Sequence, residues 1–178
     1  NPSGTGVTSV LVAPVSNSAS VAWIVGGTNN TYTGTTTIGD TVSDNNDFAR
    51  YAAVDGEGLP TTSDLVIQDG HFASSGTFER TLVPFANLTG DGKVAFNGAN
   101  GNTGFSAADG DLTIAFGGVG SEQSLTWGTD FNPGGNDLRL GDANLGTGVI
   151  EITNNIDLGA TTRQIEVYTN AHSTRDYA

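Results

Sequence analysis

Apolar residues in this chain come in short clusters, many of them alternating with polar neighbours, and each cluster is closed by Gly, Asn, Asp or Ser. That pattern predicts strands over 7–13, 20–25, 31–38, 50–54, 65–68, 71–73, 77–82 and 93–97. It continues with 103–107, 112–116, 124–127, 138–140, 149–153, 156–158 and 163–168. No window of helical length keeps an i, i+3, i+4 apolar stripe without a glycine cutting it. Only 47–54 leaves room for a single helical turn.

Short strands spaced about ten residues apart suit either an antiparallel β-sandwich or a parallel β-solenoid. Asp69-Gly70, Asp91-Gly92 and Asn97-Gly98 have the chemistry of two-residue hairpin turns. Most other connections are longer. Runs such as Asn132-Pro133-Gly134-Gly135 and Asp142-Ala143-Asn144-Leu145-Gly146 suit the corner of a solenoid, which is therefore the favoured fold, with the antiparallel sandwich as its alternative. In 31–38 almost every position is Thr, Tyr or Ile, comfortable as a strand and poor as a helix. Outward threonines there are expected to stack as a polar ladder.

Composition narrows the function. Of 178 residues 26 are glycine, which excludes a helix bundle, while the 36% apolar content is enough for one core. Six Lys and Arg against 19 Asp and Glu give a net charge of -13, so nucleic acid and anionic lipid are repelled and are excluded as primary partners. With no cysteine there is no disulfide and no thiolate metal site or nucleophile. No run approaches the ~20 apolar residues of a membrane span, and no basic-then-apolar leader opens the chain. A start at Asn1 fits processing or excision upstream. Few cations, small polar side chains and missing cysteine suit an exported bacterial surface protein.

Five segments then carry a resemblance: NNTYTGTTTIGD (29–40), GEGLPTTSDLVIQDGHFASSGTFER (56–80), GFSAADGDLTIAFGG (104–118), SLTWGTDFNPGGNDLRLG (124–141) and VIEITNNIDLGATTRQIEV (149–167). In that order they resemble the autotransporter-associated β-strand repeat of very large bacterial surface proteins. The resemblance implies a right-handed parallel β-helix, extracellular or on the cell surface, with no catalytic residues to carry over. It divides the chain into an apolar N-terminal segment, 1–27, and a repeat unit, 28–178.

The open ends of a parallel β-helix leave backbone N–H and C=O groups that template further strands. The apolar segment holds Val10, Leu11, Val12, Val15, Val21, Trp23, Ile24 and Val25. These are the candidate self-association residues, adding as strands to a neighbouring copy. The alternative is that they form the first coil of the domain's own core. A head-to-tail contact that does not close builds a filament.

Catalytic candidates are few. His71 and His172 are the only imidazoles and share no metal-ligand spacing. No Gly-x-Ser-x-Gly elbow occurs. The i, i+2 pairs Asp109/Asp111 and Asp55/Glu57, and Asp44 with Asp47, are the paired carboxylates a polysaccharide lyase or glycosidase needs. Glycine between the members of the first two marks them as turns. Arg50, Arg80, Arg139, Arg163 and Arg175 show no cluster along the chain. Calcium is the one cofactor with a foothold, in the loops 87–92 and 40–47, although neither completes a known calcium motif. Trp23, Trp127, Phe72, Phe78, Phe85, Phe96, Phe105, Phe116 and Phe131 fall mostly on strands and are expected to stack in the core. A groove presenting Trp127 and Tyr32 together would instead mark a carbohydrate site. The expectation is a non-enzymatic structural protein of a bacterial surface, self-assembling head to tail. A carbohydrate-binding adhesin module is the second reading, and a polysaccharide-active enzyme the third.

Overall fold

Strands form where β-branched and aromatic clusters meet borders that let the chain turn, and each strand is too short to bury its apolar face alone. The computed structural model describes residues 7–13, 21–24, 27–39, 49–98, 103–133, 137–142, 146 and 148–168. Its strands are β1 (Val10–Val12), β2 (Val21–Ile24), β3 (Thr36–Ile38), β4 (Ala49–Ala52), β5 (Leu65–Ile67), β6 (Gly70–Phe78) and β7 (Val94–Phe96). Then come β8 (Gly104–Ile114), β9 (Leu125–Thr126), β10 (Asp137–Leu140), β11 (Ile150–Ile152), β12 (Ile156–Asp157) and β13 (Gln164–Val167).

The protein is all-β, and its sheets are parallel without closing into a barrel. One sheet has the order β1-β3-β5-β7, a second β13-β10-β8-β6-β4-β2 with β11 also paired to β8, and a third joins β12 to β9. From β1 to β8, consecutive strands alternate between the first two sheets. Among the described residues every ladder and isolated bridge is parallel. The antiparallel sandwich is therefore not the fold. Asp69-Gly70 closes no hairpin either: β5 and β6 on its two sides belong to different sheets, so the turn is a corner. The same is true of Asn97-Gly98, between β7 and β8. Asp91-Gly92 leads into β7, where Gly92 has φ 74° and lies so close to the Thr61 carbonyl that a Cβ would collide with it.

Four sequence expectations shift. The runs at 71–73 and 77–82 contribute to one nine-residue strand, and those at 103–107 and 112–116 to one of eleven. The strand expected at 50–54 is found at 49–52, and the helical turn for which 47–54 left room does not form there. A short 3-10 turn at Phe85–Asn87 leaves Phe85 47% exposed, outside the core expected for it. The outward threonine ladder is not formed by Thr36, which is fully buried and hydrogen-bonded to Ser63 Oγ at 2.9 Å and to the Tyr32 hydroxyl at 2.8 Å.

The core is one cluster fed by all three sheets. Val12, Ile38, Ile67 and Phe96 come from the first sheet, Tyr51, Phe72, Phe105 and Leu138 from the second, and Leu125 from the third. Register explains the columns. Trp23, Tyr51, Phe72, Phe105, Leu140 and Val167 occupy one position on six successive strands. Tyr51 stacks on Phe72 with ring centroids 6.2 Å apart, and Phe105 meets Phe96 and Phe116 at 6.0 Å each. Phe72, Phe96, Phe105 and Phe116 are thus in the core expected for them, and Tyr51 joins them there without having been expected.

Candidate functional site

Three places gather polar or exposed apolar groups: a buried charge cluster, a shallow groove and the C-terminal end of the second sheet.

The charge cluster arises from register. Arg50, His71, Gly104 and Arg139 occupy one position on β4, β6, β8 and β10, on the face opposite the aromatic column. Arginines scattered in sequence are thereby brought into line. Asp142, just after β10, reaches back: its Oδ2 accepts from Arg50 Nε and stands 3.6 Å from His71 Nδ1. All three side chains are buried. Burial pushes the His71 pKa down to about 4; Asp142 opposes the shift, and the charges of Arg139 and Arg50 reinforce it. At neutral pH His71 is neutral, which relieves the repulsion that two adjacent cations would suffer in a parallel ladder. A second buried cation, Arg80, donates from Nη2 to Asp55 Oδ1 at 2.6 Å and to the Pro60 carbonyl at 2.7 Å. It also donates to the Ser63 carbonyl. Both arrangements tie distant loops to the stack.

The groove, about 240 Å³, is walled by small residues including Ala52, Ala73 and Ala108, with Glu57 and Asp109 at its rim. The members of the i, i+2 carboxylate pairs have different surroundings. Asp55 is held by Arg80, and Asp111 accepts from the Val149 N–H at 2.8 Å, while Glu57 and Asp109 line the groove instead. Asp44, Asp47, the loop 40–47 and His172 lie outside the described residues. In the loop 87–92, Asp91 accepts from Thr89 at 2.7 Å and pairs with Lys93 at 3.4 Å. Among the described residues no three His, Asp or Glu side chains are grouped to hold a metal ion. Trp127 is 3% exposed, packed edge-on to Phe131 at 5.1 Å, and Tyr32 is tied to Thr36 and Tyr51, so the two do not share an open groove.

The ends differ from the middle. Ile165 and Val167 on β13 stack over Leu138 and Leu140, and so face inward. Yet they are 52% and 72% exposed, against 1% for Leu138. Leu158, just after β12, is also exposed. At the other end, β1 and β2 are the first strands of the two larger sheets, paired on one side to β3 and β4. Of the candidate self-association residues, Val12 is buried, Val10 is half-buried and Leu11 is 65% exposed. Val21, Trp23 and Ile24 are placed in β2, whereas Val15 and Val25 lie outside the described residues. From sequence the N-terminal residues are expected to dock on the C-terminal edge of a neighbouring copy, but no residue of that edge is singled out. The alternation of Ile165 and Val167 with Gln164 and Glu166 looks like that of any half-buried strand.

Compared with protein-family models, with curated proteins and with solved structures, the chain matches none.

Proposed function

We propose that this chain is a structural element of a bacterial cell surface, a right-handed parallel β-helix that associates head to tail with copies of itself. The observation that carries the reading is the alternation of consecutive strands between two sheets whose ladders are all parallel. A chain that visits the other sheet before returning beside its previous strand winds around an axis, and parallel crossovers are right-handed in about 98% of cases. Inward columns of stacked aromatics and axial hydrogen bonds make such a winding stiff. The likeness of 29–40 and the later segments to the surface repeat supports export, as does the composition. A net charge of -13 keeps parallel rods apart, and salt screens that repulsion over about 10 Å at 0.1 M.

The test is light scattering and negative-stain microscopy of the purified chain across a concentration series, beside a form lacking residues 1–27. Concentration-dependent rods are expected from the full chain and monomers from the shortened one, with circular dichroism verifying that the shortened form keeps its strands. A monodisperse monomer at every concentration for the full chain would sink the reading.

A further inference from the structure

Building on the head-to-tail reading, we propose that the joint is a parallel strand pair in which β2 of one copy lies on the open edge of β13 of the next. Four observations lead there. First, β13 and β2 are the two edges of the same sheet, so a β2 strand beside β13 continues that sheet without changing strand direction. Second, the inward positions of β13 are bare: Val167 is 72% exposed although Phe105, two strands below it in the same column, is fully buried. Third, β2 carries the register position that this column requires. Trp23 holds the register position at one edge of the sheet that Val167 holds at the other, and Val21 lies two residues before Trp23, in register with Ala49. Fourth, the charges fit. The first charged side chain of the whole chain is Asp40, so the N-terminal end brings no carboxylate to a face that already holds Glu151, Asp157 and Glu166. A tail-to-tail joint would set those carboxylates against their own copies, which is repulsive within a Debye length.

The column also sets the register: Val21 beside Ile165, Ala22 beside Glu166, Trp23 beside Val167. Ala22 next to Glu166 leaves the bond from Arg139 to Glu166, 2.6 Å, free of competition. Contact at this edge gives main-chain hydrogen bonds and covers two aliphatic side chains, the two ingredients of strand addition. Because the donor edge and the acceptor edge differ, the contact is heterologous and propagates.

The absence of cysteine makes the register measurable. Adjacent strands lie about 4.8 Å apart, within the Cα separation a disulfide spans. The double variant Ala22→Cys/Glu166→Cys, oxidised under assembly conditions, should give a ladder of multimers on a non-reducing gel that collapses with reductant. Trp23→Cys/Val167→Cys reads the inward side of the same register. Ala22→Cys/Ile165→Cys, which places the thiols on opposite faces, should stay monomeric. An equimolar mixture of the single variants A22C and E166C should stop at the dimer. Dimers from A22C alone or E166C alone would overturn the proposal in favour of a symmetric joint. Assembly by light scattering with neither double variant cross-linking would overturn the joint and leave the head-to-tail reading standing; no assembly at all removes both. Val167→Asp, at an exposed position, should leave the melting temperature within about 2 °C of the parent and lower assembly at least tenfold.

Discussion

Phe105 and Val167 share one column of the second sheet, two strands apart, yet the first is fully buried and the second is 72% exposed. Their strands have the same alternation and the same parallel pairing. The difference is what lies on the far side. Phe105 is packed among Phe78, Phe96 and Phe116, with ring centroids 6.0 to 6.1 Å away, while Val167 has Leu140 on one side and an open edge on the other. In a parallel sheet of this kind burial belongs to the strand's place in the sheet order rather than to its own sequence. A parallel strand becomes core only when the next one arrives.

The comparison is broken most directly by truncation. Phe105→Ala is expected to cost ~3–5 kcal/mol in urea denaturation, because a cavity opens among three rings, whereas Val167→Ala should cost under ~1 kcal/mol. Similar losses at the two sites would show that the terminal strand is as well packed as the interior. The charge pairs sharpen the same contrast. Asp142→Ala removes the carboxylate that the buried Arg50 donates to and should destabilise by ~3 kcal/mol, while Glu166→Ala, at the pair with Arg139 whose side chains are 20% and 22% exposed, should change stability by only ~1 kcal/mol.

The smallest effect, and the most specific, concerns pH. The pKa of His71 falls to about 4 in the folded chain from an unfolded value near 6.5, so between those values the unfolded state binds the extra proton. Its contribution is complete above about pH 6.5 and is lost as the pH falls towards 4. Stability measured at pH 7 and pH 5 should therefore drop more for the parent than for His71→Gln, by ~2 kcal/mol at most. Equal drops would mean that this imidazole is as easily protonated as one in solvent.

Much of the fold was legible in sequence, for reasons visible in particular residues. Leu65, Val66 and Ile67 form a buried strand because an apolar run with two β-branched residues, bounded by Asp64 and the Gln68-Asp69-Gly70 corner, has few alternatives. Phe72 and Phe96 reach the core as their strand positions suggested, and Phe131 does so through a bridge to Trp127. The exceptions involve partners far away in the chain. Thr36 is interior because Ser63 and Tyr32 satisfy its hydroxyl. Asp55 is not a carboxylate of a pair because Arg80 claims it, and Asp69-Gly70 is a corner because β6 has β4 to join.

By itself the sequence determined the all-β class, the neighbourhoods of most strands, most of the aromatic core though neither Tyr51 nor the exposure of Phe85, and the acidic net charge. All of these follow from local preference, period and charge, which are properties of neighbouring residues. Only the tertiary structure decided that every pairing among the described residues is parallel, that Arg50, His71 and Arg139 form one line answered by Asp142, and that Ile165 and Val167 are exposed. Those features depend on which distant strands share a register, and parallel neighbours are joined by long crossovers whose length local chemistry leaves free.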